Sequence, residues 1–342
     1  MELTLYDQLK KTLECLPDIL AYNASVSKPT PAELKPSSFN HKTISLRGHK
    51  YHYVEEGDPN GTPVILLHGF PDLWYGWRHQ IRHLAKHGYR VFAIDNLGSG
   101  GSDHPRCSLD ELDPYLAVNL SASLVDFLDQ LNIEKAVFAG HDWGGYLVWQ
   151  LGQRYPERCH TIISLGDPYR QPTKEFVGMD QFVKQFPHFA YWVTFETEEP
   201  DNWFDGDVHK QAQAYYAGFA ARPGTNIEEM EYYIDQFTRT SFHGGYNYYR
   251  AFKPNHEEQR RYIGKPFTVP ALQVIIEQDQ YLTPEFIAIH PTHMVQHLEQ
   301  IRIEKGGHCV QFENPEHVNK VFTDYLSKFF SKDKSQDRTK VQ

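Results

Sequence analysis

The sequence predicts an α/β fold, a doubly wound and mostly parallel sheet with an inserted helical cap domain. Three observations carry this expectation. Short apolar runs at 64–67, 90–94, 137–139 and 161–165 alternate with helical patterns, as parallel strands joined by crossover helices do. From 171 to 262 the alternation stops, and the pattern becomes helical and unusually aromatic, with Trp192, Phe195, Tyr215 and Tyr249 among its rings. Strand-like runs then return at 271–276 and 301–303.

The chain divides accordingly. An N-terminal helix and extended connector (1–38) precede the first part of the core (39–170). The helical cap (171–262) is followed by the second part of the core (263–332) and a polar tail (333–342). Residues 3–20 read as one amphipathic helix, and 24–38, with Pro29, Pro31 and Pro36, as an extended connector. Residues 43–46 and 51–55 read as paired strands around Gly48. The strand at 64–67 ends at His68-Gly69. Helical patterns at 74–87, 115–131 and 143–155 separate the strands that follow, and a helix at 315–330 closes the core. In such a sheet, ligands sit at the carboxyl ends of the strands.

A chain of 342 residues, apolar in both halves, suffices for one large core with a smaller insertion. The net charge of −10, without a Lys/Arg block, weighs against nucleic acid or an anionic membrane surface as partner, since both need clustered positive charge. Cys15, Cys107, Cys159 and Cys309 are scattered singly, which reads as free thiols of a reducing compartment and not as a disulfide scaffold or metal site. No apolar run approaches the roughly 18 residues of a membrane span. Glu2, Asp7, Glu14 and Asp18 interrupt any signal-like segment, and the tail carries no peroxisomal or retention tripeptide. The cytoplasm is the expected location.

The stretch Gly140-His141-Asp142-Trp143-Gly144-Gly145 follows an apolar strand and opens a helical pattern. In many hydrolases this strand-turn-helix presents a serine between paired glycines. Here Asp142 occupies the centre. A serine that opened a strained ether would form a new ether, which no ordinary base hydrolyses. A carboxylate forms an ester, which water cleaves. Finishing that reaction needs a base, and the base needs an orienting acid. Glu277-Gln278-Asp279 follows the strand at 271–276, and Gly306-Gly307-His308 follows that at 301–303, so both candidates lie on the sheet edge of Asp142. Asp279 is preferred to Glu277 by its distance past the strand. It also suits a turn before Thr283-Pro284-Glu285, which reads as a helix start. Ester hydrolysis passes through an oxyanion, which needs two backbone N–H donors. Trp143, at a helix N-terminus, offers one. The turn His68-Gly69-Phe70-Pro71 offers the other from Phe70, with Gly69 and Pro71 setting the bend and His68 shaping the turn.

Taken together, His68-Gly69-Phe70-Pro71-Asp72, the Asp142 turn and Gly307-His308 resemble the α/β-hydrolase-fold epoxide hydrolases of the soluble type. The resemblance runs from about Phe39 to Phe330 and implies the α/β-hydrolase fold. It implies two cap tyrosines that hydrogen-bond the epoxide oxygen and protonate it as the ring opens. One lies in a Tyr-x-x-x-Phe stretch, matched by Tyr191-Trp192-Val193-Thr194-Phe195. The other lies in Gly-x-Asn-(Trp/Tyr)-Tyr-Arg, matched by Gly245-Tyr246-Asn247-Tyr248-Tyr249-Arg250 and pointing to Tyr249. A phenol is acidic enough to donate to an alkoxide and remains protonated at neutral pH. The expected reaction is hydrolysis of a small apolar epoxide to a vicinal diol. It needs water and no cofactor or metal, and the expected assembly is a monomer or homodimer. The chain departs from the family pattern in the loop after 90–94, where Leu97 and Ser99 replace an arginine and a tyrosine. It departs again at Cys309, where an aromatic residue often follows the histidine; this change would widen the floor of the site.

Plainer readings stand beside these. Asp142 would also suit a helix N-cap, and tyrosines in an aromatic cap are often packing. Tyr248 is the rival of Tyr249. A haloalkane or haloacid dehalogenase uses the same aspartate and histidine but stabilises a halide with Trp or Asn N–H donors, one of which Trp143 could supply. A non-catalytic hydrolase fold would keep the pocket for ligand binding alone. The cap tyrosine pair and the complete set of Asp142, Asp279 and His308 favour the epoxide.

Overall fold

The computed structural model describes residues 4–26, 28–220, 226–290 and 292–330. The polar tail expected at 333–342 lies outside the described residues, as does the first residue of the helix expected at 3–20. Two helices, α1 (Leu5–Glu14) and α2 (Leu16–Val26), precede a single eight-stranded sheet. Its strands are β1 (His41–Leu46), β2 (His49–Gly57), β3 (Pro63–Leu67), β4 (Arg90–Ile94), β5 (Ala136–His141), β6 (Cys159–Leu165), β7 (Ala271–Ile276) and β8 (Leu298–Ile303). They lie in the order β1-β2-β4-β3-β5-β6-β7-β8. β2 is antiparallel to β1 and β4, and β3 to β8 are parallel. β5 is buried along its whole length between β3 and β6, as a continuous apolar run in a parallel sheet should be.

Helices α3 (Arg78–Lys86), α4 (Ala117–Gln130) and α5 (Trp143–Arg154) connect the first strands. Between β6 and β7 the described chain is helical and carries no strand: α6 (Met179–Phe182), α7 (Ala190–Phe195), α8 (Val208–Ala220), α9 (Ile227–Thr240), α10 (His243–Arg250) and α11 (Phe252–Gln259). After β7 come α12 (Pro284–Ala288), α13 (Val310–Glu313) and α14 (Pro315–Phe330).

Two local expectations are corrected. The single helix expected at 3–20 is two helices that meet at Cys15. Pro17 explains the break: it has no N–H to bond back into α1, and it sits in the first turn of α2, where none is needed. The connector expected at 24–38 is less extended than its prolines suggest, because α2 reaches Val26 and short 3-10 turns form at Ala32–Leu34 and Pro36–Ser38. α1 lies against α8, and α2 against α8 and α9.

The helical layer is tied to the sheet layer by buried polar contacts. The Arg78 guanidinium meets the Glu229 carboxylate of α9 in a two-point pair, Nε to Oε1 and Nη2 to Oε2, each at 3.0 Å. The Tyr233 hydroxyl donates to Asp72 Oδ1 at 2.6 Å. The Tyr248 hydroxyl donates to the Leu97 carbonyl at 3.0 Å, so the divergent loop is a seat for α10. Leu97 and Ser99 are both buried. No helix among the described residues is long and apolar enough to cross a membrane.

Arg78 and Glu229 are almost fully buried, so removing one partner strands a charge. Arg78→Met is expected to lower the free energy of unfolding in urea by about 3–5 kcal/mol, and adding Glu229→Leu is expected to recover much of it.

Candidate active site

β5 and α5 meet at Asp142, whose backbone lies at φ 53°, ψ −121°. This region is costly for any residue with a Cβ and is held here by the surrounding sheet. The turn packs tightly: a Cβ on Gly144 would stand 2.1 Å from the Leu67 carbonyl oxygen at the end of β3. Asp142 holds the N-cap position of α5, but its side chain makes no capping bond there. Instead Asp142 Oδ1 accepts the Phe70 N–H at 2.8 Å, and the Trp143 N–H also bonds the carboxyl group. Both donors named from the sequence therefore converge on Asp142. Gly69 makes this approach possible, since a Cβ there would lie 2.2 Å from Asp142 Oδ1. The His68 Nδ1–H donates to the Gly69 carbonyl at 2.7 Å, and its Nε2 accepts the Asn96 N–H at 3.0 Å. The Phe70–Pro71 peptide is cis.

Asp142 Oδ2 faces His308 Nε2 at 3.8 Å. His308 Nδ1–H donates to Asp279 Oδ2 at 2.9 Å. Asp279 Oδ1 accepts the N–H groups of Tyr281 and Leu282, at 2.8 and 3.0 Å. Glu277, the alternative acid, pairs with Arg302 instead. The two aspartates are pushed in opposite directions. Burial raises the Asp142 carboxyl above its ordinary range, against the pull of His308 and the two N–H donors. Burial acts on Asp279 as well, but the charge and hydrogen bond of His308 outweigh it and hold that carboxyl low.

Tyr191 and Tyr249 line a cavity of about 210 Å³ together with Asp142 and His308. Their ring centroids are 6.1 Å apart, and Tyr249 stands edge-on to Trp143 at 4.9 Å. Burial, with the Asp142 charge adding to it, raises both phenols well above 10, so both keep their protons. Tyr248 is turned to Leu97 and does not line the cavity. Cys309 is buried and does not line it either.

The sequence named no role for His141 or Tyr281. Burial lowers the His141 pKa to about 3, so its ring is neutral, and its Nε2–H donates to the His308 carbonyl at 2.7 Å. Tyr281 stands edge-on over the His308 ring at 5.0 Å. Leu5, Gln8, Leu9 and Thr12 of α1 also line the cavity. Their spacing is legible as one helical face, but no local signal says what that face meets.

Comparison with known proteins identifies the family. Residues 62–315 match a family model described as alpha/beta hydrolase fold. The chain is 33% identical over 328 residues to bifunctional epoxide hydrolase 2 of Mus musculus, covering 87% of this chain and 57% of that one. It is 31% identical over 317 residues to epoxide hydrolase A of Mycobacterium tuberculosis, covering 84% of this chain and 97% of that one. The chain belongs to the α/β-hydrolase-fold epoxide hydrolases. The crystal structure of an epoxide hydrolase from Vigna radiata superposes with a TM-score of 0.77 at 26% identity, covering 86% of this chain and 99% of that one. This family member therefore spans just over half the length of the mouse relative and nearly the whole of the bacterial one.

The raised Asp142 carboxyl has a consequence for stability. A group whose pKa is higher folded than unfolded stabilises the fold below its unfolded pKa and loses that contribution as pH rises through the folded one. Asp142→Asn, which can still accept the Phe70 N–H, is expected to melt higher than the parent at pH 7. The difference should shrink as pH falls towards about 4, the ordinary carboxylate value. Thermal melts of both proteins from pH 4 to 8 check this.

Proposed function

We propose that the protein hydrolyses an epoxide to a vicinal diol through a covalent ester on Asp142. The observation that carries this reading is the convergence of one buried carboxylate and two protonated phenols on one cavity, with a histidine–aspartate pair behind the carboxylate. The similar proteins from mouse and M. tuberculosis, both epoxide hydrolases by name, support it.

In the first step, Asp142 Oδ2 attacks a ring carbon and forms the ester C–O bond. The ring C–O bond breaks, and Tyr191 and Tyr249 donate hydrogen bonds to the departing oxygen, one of them giving up its proton. Phenols suit this task, because an alkoxide is strongly basic and a buried phenol holds its proton until that base develops. In the second step, His308 Nε2 takes a proton from water, and the hydroxide attacks the ester carbonyl carbon. Asp279 keeps the imidazole oriented and stabilises the imidazolium. The oxyanion develops on Oδ1, which already accepts the Phe70 N–H, and the Trp143 N–H bonds the same carboxyl group. Collapse releases the diol and the Asp142 carboxylate, and the imidazolium proton returns to the phenolate through solvent. The phenol pair distinguishes this chemistry from halide displacement, which calls for N–H donors at the leaving group. The four cysteines are free, which supports a cytoplasmic setting for the reaction.

A single turnover in heavy-oxygen water tests the mechanism. Label is expected in Asp142 after one turnover and in the diol after the next, read by peptide mass. Normal diol formation by Asp142→Ala would sink the proposal. His308→Gln is expected to accumulate protein carrying the mass of one substrate, with diol release slowed about 10²–10⁴-fold. Tyr191→Phe and Tyr249→Phe are expected to slow ester formation and leave its hydrolysis unchanged. A haloalkane offered in parallel is expected to release no halide.

A further inference from the structure

We propose that α1 is the size-selecting wall of the substrate cavity, with Leu5 and Leu9 meeting the substituent carried by the epoxide; this rests on the reaction proposed above. Leu5, Gln8, Leu9 and Thr12 stand at i, i+3, i+4 and i+7, which places them on one face of the helix. All four line the same cavity as Asp142 and Tyr191. α1 lies outside residues 62–315 matched by the family model, and it supplies none of the groups assigned to the chemistry.

This face is mixed in composition. Leu9 belongs to the apolar core and Leu5 packs against it, while Gln8 is exposed and Thr12 half-buried. The Thr12 hydroxyl is satisfied inside the helix, donating to the Gln8 carbonyl at 3.0 Å. An apolar lining with a few polar groups is the usual composition of a small-molecule site.

α1 is also seated firmly enough to act as a wall. Its start is fixed by a reciprocal cap, in which Thr4 and Asp7 each hydrogen-bond the other's backbone N–H. Tyr6, on a different face, stacks on Trp203 at 5.3 Å and meets Phe204 edge-on at 5.3 Å. The Phe204 N–H donates to the Tyr6 hydroxyl at 3.4 Å. The Phe70 ring, which lines the same cavity, is boxed in by Phe195, Tyr215 and Tyr249. Leu5 and Leu9 are the two leucines of that lining, so changing their size changes the room left for the substituent. On this proposal the cavity of about 210 Å³ favours compact epoxides over those bearing bulky groups on both ring carbons.

The test is the ratio of kcat/KM for trans-stilbene oxide to that for 1,2-epoxybutane, in the full chain. Leu9→Ala removes wall and is expected to raise the ratio about tenfold; Leu5→Trp adds wall and is expected to lower it about tenfold. The same two substitutions on an Asp142→Ala background give the ratio of dissociation constants by tryptophan fluorescence, without any turnover. If the parent chain makes no diol from either epoxide, the hydrolytic reading fails and the wall is judged on the binding ratio. Opposite shifts in the two variants support the wall. Ratios within about twofold of the parent, in variants whose melting temperatures match the parent, overturn it.

Discussion

Holding a non-glycine residue at φ 53°, ψ −121° costs on the order of 1–3 kcal/mol, and it persists only where the surroundings over-determine it. At Asp142 they do. The residue ends β5, the strand enclosed by β3 and β6, and its carbonyl accepts the first backbone bond of α5, from Tyr146 at 3.0 Å. The Leu67 carbonyl abuts Gly144 on one side, and the Leu165 carbonyl receives the Asp142 N–H at 3.4 Å on the other. The backbone is thus clamped from both neighbouring strands. Because it is clamped, the carboxyl group is delivered to one point, with Oδ1 on the Phe70 N–H and Oδ2 towards His308. Every other feature of the site is arranged around that point.

The electrostatics follow from where the charges are stored. Two aspartates lie within reach of one histidine, yet their surroundings differ. Asp279 accepts two backbone N–H bonds and the Nδ1–H of His308, which suits a permanent anion. Asp142 is drawn down by His308 and by two N–H donors on its carboxyl, but burial outweighs them, so its charge is less comfortable. An anion that is poorly stabilised by its surroundings is the better nucleophile, and one that is well stabilised is the better anchor. His141, neutral at the back, adds no competing charge and fixes the His308 backbone.

Much of this was legible in the sequence because the informative residues lie next to strand ends. The apolar runs of β3 to β7 marked the sheet, and Asp142, Phe70 and His308 each follow one of its strands directly. The remainder depends on which way a side chain turns. Glu277 and Asp279 both follow β7; only the packed structure directs Glu277 to Arg302 and Asp279 to His308. Tyr248 and Tyr249 are adjacent on α10, about 100° apart around the axis. One meets Leu97 and the other the cavity, a difference that depends on how α10 sits on the core. His141 and Tyr281 act through contacts with residues distant in sequence or hidden behind a turn. α1 displayed its stripe openly, but a stripe names no partner. Pro17 marked the boundary after it only once the two helices were seen to diverge.

The buried ties between the two layers carry a further consequence. Asp142, His308, Phe70 and Trp143 belong to the sheet layer, while Tyr191 and Tyr249 belong to α7 and α10 of the helical layer. Arg78–Glu229, Asp72–Tyr233 and Leu97–Tyr248 are what keep these layers in register. On the proposed chemistry, ester formation therefore depends on the layers being docked, whereas ester hydrolysis draws on one layer alone. Loosening the docking would then act as a ratchet: it would stop new substrate from becoming attached and still let attached substrate be released.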